Sequence, residues 1–229
     1  QNMSAGFDKL APWYGILESL LFGPRLQEMR CAYLDQLADV GTVLLIGEGT
    51  GLFLERLLKV NPEATVAVVE SSAKMIDRCR NRVPSEDCNR VTFHNSTLLE
   101  FESVQRFDAL CTFFFWDCFE ENQLRIMLPA LSKFRKPESF WIDVDFFETP
   151  KNAHGINLRH FLLMRLLYGF FGLATGIEAR RVVEIEPMAK QNGFFVTESR
   201  KAENFPIWAR IFSRRTCPVC PNSLDRKNR

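Results

Sequence analysis

Val43-Leu44-Leu45-Ile46-Gly47-Glu48-Gly49-Thr50-Gly51 runs four apolar residues into a G-x-G-x-G turn, and the amphipathic segment Leu52-Phe53-Leu54-Glu55-Arg56-Leu57-Leu58 follows directly. This pattern predicts a buried strand, a tight turn and a helix. Glycine serves such a turn by adopting dihedrals that other residues avoid and by letting a ligand approach the backbone. The identity of that ligand decides the function.

Outward from this motif the chain alternates between strand and helix. Upstream, helices are expected over Trp13 to Phe22 and from Pro24 to about Leu37, with Gly23-Pro24 between them. Strands are expected at Thr42 to Ile46, Thr65 to Val69, Arg90 to Phe93, Phe107 to Phe114 and Ser139 to Asp145. The helices between them fall at Gly51 to Val60, Ser72 to Arg82 and Glu120 to Lys133. The order implies a mostly parallel sheet with helices on both faces. The last third differs: a long apolar-rich helix from Asn157 to Phe171, a shorter one within Val182 to Gln191 ending at Gly193, then strands at Phe194 to Ser199 and Ile207 to Phe212. Those two strands are expected to pair antiparallel at the sheet edge.

The expected organisation is a helical segment over residues 1–40 covering the site, an α/β domain over 41–213 and an irregular basic tail over 214–229. With 229 residues, 46% of them hydrophobic, the chain suits one well-buried domain. Its 29 basic and 28 acidic residues nearly cancel, so no broad positive field for nucleic acid is expected. Gln1 to Gly6 lacks a secretory signal pattern. Phe161 to Ala174 is too short to span a bilayer and is interrupted by Arg165, although it is compatible with an interfacial helix. Seven cysteines fit a reduced, cytoplasmic setting better than a disulfide scaffold. Cys217 and Cys220 have half-zinc-site spacing without a second pair nearby, so no metal is expected.

The glycines alternate strictly, whereas a dinucleotide turn usually reads G-x-G-x-x-G and faces a pyrophosphate. Glu48 would repel a pyrophosphate but tolerate an ammonium or sulfonium cation. Glu70 closes the second strand about twenty residues on, where a carboxylate accepts both hydroxyls of a ribose.

These residues resemble the class I S-adenosylmethionine-dependent methyltransferases. Val43 to Gly51 and Glu70-Ser71-Ser72-Ala73-Lys74-Met75 carry the resemblance, which is nearest to the small-molecule enzymes of the ubiquinone/menaquinone-biosynthesis type. It implies a Rossmann-like seven-stranded sheet. It also implies that Gly47, Glu48, Gly49 and Gly51 lie under the methionine part of the cofactor, that Glu70 with Ser71 holds the ribose, and that Met75 packs on adenine. Asn95 stands near the family's usual adenine-side aspartate, with Ser96 beside it, and Phe115 joins the cofactor contacts. Further similarity lies in Phe7-Asp8-Lys9-Leu10-Ala11-Pro12-Trp13-Tyr14, whose tyrosine is expected to line the site, in Asp145-Phe146 and in Gly193-Phe194. Two positions depart from the family: Leu45 replaces a common acid, and Glu48 replaces a small residue or cysteine.

The implied reaction is in-line transfer of the methyl group to a small molecule, with orientation supplying much of the acceleration. The acceptor pocket is expected beyond the strand ends, between the N-terminal segment, the loop after the fourth strand and the long helix after the fifth. In Phe113 to Phe119, strand alternation places two aromatics in the core and Trp116 or Asp117 at the cofactor rim. His160 is the best-placed histidine for a general base. The 21 phenylalanines suit a hydrophobic or aromatic acceptor, as well as an ordinary aromatic core. Two alternatives stay open: an NAD(P)-dependent oxidoreductase, and a non-catalytic methyltransferase-like binding protein. A monomer or homodimer is expected, with no nucleic-acid partner.

Overall fold

The structure, a computed structural model, describes residues 24–147, 183–203 and 205–214. The helices expected at Trp13 to Phe22 and Asn157 to Phe171 lie outside these residues, as do Tyr14, His160 and the Cys217/Cys220 pair. The described residues begin with α1 (Arg25–Arg30) and a 3-10 turn (Leu34–Leu37), then β1 (Thr42–Ile46), α2 (Leu52–Val60), β2 (Thr65–Glu70), α3 (Ala73–Arg80) and β3 (Val91–Asn95). They continue through β4 (Phe107–Phe113), α4 (Glu121–Ser132), β5 (Arg135–Phe146), α5 (Glu186–Gln191), β6 (Phe195–Lys201) and β7 (Ile207–Ser213). The seven strands form one sheet in the order β3-β2-β1-β4-β5-β7-β6. The first five are parallel, and β7 pairs antiparallel with both β5 and β6. This is the expected Rossmann-like α/β sheet with its antiparallel C-terminal pair.

The period-two alternation of β1 builds two cores. Val43 and Leu45 face a cluster with Leu54 and Leu57 of α2, while Leu44 and Ile46 face a second with Leu124 and Leu128 of α4. Leu45, at the position where the family commonly has an acid, is thus an ordinary core residue, 1% exposed.

Strand order reverses at β1, whose neighbours β2 and β4 lead outward in opposite directions. Their crossover connections leave a crevice beyond the C-terminal strand ends, the usual ligand position in open α/β sheets.

Three expectations shift on inspection. The helix expected over Pro24 to Leu37 is split after Arg30, and a tighter turn keeps Met29, Tyr33 and Leu37 against the same core. β5 starts at Arg135 rather than Ser139 and runs through Pro137, opposite an irregularity between Phe107 and Ala109 of β4. Trp116 does not reach the cofactor rim. Phe114 has φ of 52°, which turns the chain at the end of β4. Trp116 then inserts beneath the turn at 2% exposure, its Nε1 donating to Thr112 Oγ1 at 3.1 Å.

Candidate functional site

Gly47, Gly49 and Gly51 all have positive φ, at 67°, 70° and 85°, but they meet different surroundings. A Cβ on Gly51 would stand 2.8 Å from Cys79 Cα, so this glycine lets α3 pack against the turn. A Cβ on Gly47 would stand 2.6 Å from Phe115 Cδ2, so the aromatic ring lies on bare backbone. A Cβ on Gly49 would meet nothing within 4 Å. Gly49 therefore faces open space, and its amide points back to donate to Glu70 Oε2 at 3.2 Å.

The open space is a pocket of about 320 Å³ at the switch point. Its lining includes Gly47 to Thr50, Glu70 and Ser71, together with Phe113 to Phe115 and Phe119. Met75 and Ser96 also line it, as do the exposed side chains of Leu99 and Ile126. Of the residues singled out in the sequence, Gly47, Glu48, Gly49, Glu70, Ser71, Met75, Ser96 and Phe115 are brought together here. Gly51 and Asn95 stand outside the wall. The Asn95 amide instead donates to the carbonyls of Glu70 and Ser71, at 3.1 and 2.9 Å, and ties β3 to the loop after β2.

Residues 43–138 match the family model described as "Methyltransferase domain". Among solved structures, the chain is similar to the mitomycin 7-O-methyltransferase MmcR, with 15% identity and a TM-score of 0.67, covering 91% of this chain and 60% of that one. It is also similar to the N-methyltransferase NodS from Bradyrhizobium japonicum in complex with S-adenosyl-L-homocysteine. That match has 15% identity and a TM-score of 0.67, covering 94% of this chain and 100% of that one. An O-methyltransferase family protein from Burkholderia thailandensis matches with 16% identity and a TM-score of 0.67, over 86% of this chain and 59% of that one. The chain thus spans about 60% of the length of the first of these structures. No curated protein matches the sequence. The similar structures include both O- and N-methyltransferases and do not single out the ubiquinone/menaquinone type.

Two carboxylates give the pocket its polarity. Glu70 accepts from Ser72 N at 2.9 Å on Oε1 and from Gly49 N at 3.2 Å on Oε2. Burial raises its carboxyl above the ordinary range, and the amides of Ser72, Gly49 and Ser71 oppose the shift. The Ser71 hydroxyl bonds to it as well, so the carboxylate is held firmly at the end of β2. Glu48 is 9% exposed and turns Oε1 onto the first turn of α2, accepting from Phe53 N at 2.9 Å and Leu54 N at 3.1 Å. Burial pushes its carboxyl up to about 7, against the Leu54 amide, the Arg30 guanidinium and the Phe53 amide.

Sequence reasoning missed Arg30, which lines the pocket from α1 and stands over the Phe114 ring at 5.1 Å. It also missed Gln123 and Met127 of α4, next to Phe119, which the aromatic run after β4 had already offered as a cavity residue. The i, i+4 spacing of Phe119, Gln123 and Met127 was the available signal. Arg30 had none, because its segment carries no ligand motif. Asp145, the acid of the aspartate-phenylalanine pair, is buried and accepts from the backbone N–H groups of Trp116, Asp117 and Phe146. It thereby fixes the turn that presents Phe114 and Phe115. Among the described residues, no cluster of His, Cys, Asp and Glu has metal-site geometry, and no helix is long and apolar enough to cross a membrane.

Proposed function

We propose that the protein transfers a methyl group from S-adenosylmethionine to a small, hydrophobic or aromatic acceptor by in-line displacement. The observation that carries the reading is Gly49, a positive-φ backbone position with nothing within 4 Å of a Cβ among the described residues, set between buried Glu48 and half-buried Glu70 in a stretch that matches a methyltransferase-domain model. The residues fit the donor. Glu70 places a carboxylate at the end of β2 for the ribose diol, Met75 offers an apolar face to adenine, and Gly49 leaves room for the methionine chain. Ser96 Oγ is buried without a hydrogen-bond partner beside this path, an unmet need that a heteroatom of the nucleoside would satisfy. The solved NodS complex with S-adenosyl-L-homocysteine supports the same ligand class.

S-adenosylmethionine supplies a sulfonium-activated methyl group, which passes to an acceptor lone pair and leaves S-adenosylhomocysteine. The protein's residues bind, orient and exclude water. Phe115 on Gly47 and Phe113 and Phe114 beside it give a dry aromatic wall, which supports an apolar acceptor. Tyr14 is proposed to line the acceptor side, and His160 to take the proton of a hydroxyl or amine acceptor; both lie outside the described residues. Glu48 disfavours the pyrophosphate that a nicotinamide enzyme would seat on this turn.

Thermal unfolding with S-adenosylhomocysteine tests the reading. The wild-type midpoint is expected to rise with ligand concentration, by mass action on the native state. Gly49→Val, folded without ligand, is expected to lose the response, because its side chain fills the path. An unchanged response in that variant would place the ligand elsewhere.

A further inference from the structure

Glu48 is a buried carboxylate with half of its bonding capacity unused. Oε1 takes both amides of the first turn of α2, and Oε2 has no hydrogen bond among the described residues, although the residue forms part of the pocket wall. No cation among the described residues lies within ion-pair distance of it, in contrast to buried Asp143, which Arg210 reaches at 2.7 Å. That oxygen is not enclosed by protein and opens to the pocket, where a ligand group can reach it.

The groups around it come from five elements. Arg30 of α1 and Cys31 just after it, the Phe53 and Leu54 amides of α2, Glu70 at the end of β2, Cys79 of α3 and Cys111 of β4 all feel its charge or bond to it. Only Arg30 among these is cationic. Glu70 is a like charge in the same pocket and opposes ionisation of Glu48. Burial holds the carboxyl near neutrality, so a large share of molecules carry the proton at physiological pH.

We propose that Glu48 Oε2 is the seat for a cationic centre of the bound ligand, and that occupation of the pocket expels a proton from Glu48. The inference rests on the donor reading above and sharpens it: the unusual acid in the glycine turn selects ligands by charge. The bond broken is the Glu48 O–H, the proton leaves to solvent, and the carboxylate gains an ammonium or sulfonium neighbour. The shared chemistry is a fixed positive charge, which S-adenosylmethionine carries twice, S-adenosylhomocysteine once and 5′-methylthioadenosine not at all.

Calorimetric titration of the full chain at pH 7, in two buffers of different ionisation enthalpy, counts the protons for each of these three ligands. S-adenosylmethionine is expected to release about half a proton per site at that pH, and 5′-methylthioadenosine none. Release with S-adenosylhomocysteine as well assigns the cation to the ammonium, and release with S-adenosylmethionine alone assigns it to the sulfonium. Glu48→Gln keeps an acceptor for the two amides and is expected to bind 5′-methylthioadenosine as before. It should release no proton and lose about tenfold in affinity for the cationic ligand. Equal proton counts for all three ligands in the wild type would overturn the proposal, whether or not the variant folds. So would an unchanged proton count in Glu48→Gln. Binding of none of the three overturns the donor reading instead, which keeps the two failures distinguishable.

Discussion

Asp143 in the middle of β5 and Glu48 in the turn after β1 are both buried carboxylates, at 0% and 9% exposure, but they are completed in opposite ways. Asp143 Oδ2 takes Arg210 Nη2 at 2.7 Å and Nε at 3.2 Å, and Oδ1 takes Thr112 Oγ1 at 2.9 Å. Thr112 Oγ1 in turn accepts from the indoles of Trp116 and Trp141, and Arg210 Nη1 donates to Glu184 at 2.6 Å. Every partner is supplied by the protein, and the result ties β4, β5 and β7 together. Glu48 has two backbone amides on one oxygen and open pocket beside the other. A buried charge that the fold completes holds structure together; one left incomplete at a cavity is a place for a ligand.

The comparison breaks most visibly at Arg210. Arg210→Met leaves Asp143 buried and unpaired and is expected to cost about 3–5 kcal/mol in urea unfolding, with much of the loss recovered in the double variant with Asp143→Leu. A loss below about 1 kcal/mol would mean that the network contributes little to holding the three strands.

Glu48 is expected to behave in the other direction. Its folded carboxyl sits near 7 against an ordinary 4.5, so the folded state binds more protons between those values. Stability of the ligand-free protein therefore falls as pH rises from 4.5 to 7 and is level above that. Glu48→Gln removes that slope, a difference of at most about 3 kcal/mol, read as the gap between the two stability–pH curves. Parallel curves would show that Glu48 is already ionised without ligand.

The glycine turn sharpens the comparison at smaller scale. Gly51→Ala drives a Cβ to 2.8 Å from the Cys79 Cα at φ of 85°, and is expected to cost about 2–3 kcal/mol of stability. Gly49→Ala, at φ of 70° with nothing within 4 Å, should cost only about 1 kcal/mol. Denaturant unfolding of the two variants measures the difference, and equal costs would remove the distinction between a packing glycine and a ligand-facing one.

Much of this was legible in the sequence because period and glycine are local signals. The bounds of β1 match the expected Thr42 to Ile46, and Gly193 ends α5 with φ of 77°, as a C-cap glycine should. The cradle of Gly47 and Gly49 with Glu70 was legible for the same reason, since backbone geometry demands glycine and strand length sets the distance to the acid. What escaped depends on tertiary contacts. Trp116 goes inward because Thr112 Oγ1 waits for its indole and Phe114 tolerates a left-handed backbone. Asn95 faces backbone carbonyls rather than the pocket, a choice that a single position in a motif does not reveal. Glu48 was read as a charge aimed at the ligand; one of its oxygens is spent on the α2 amides, and only the fold shows that the other is left over.

The most direct test of the central claim is titration of the full chain with S-adenosylhomocysteine, with a nicotinamide dinucleotide titrated in parallel. The account predicts saturable binding of the first at one site per chain, lost in Gly49→Val, and no saturation with the second. Saturable binding of the dinucleotide with none of S-adenosylhomocysteine would contradict it.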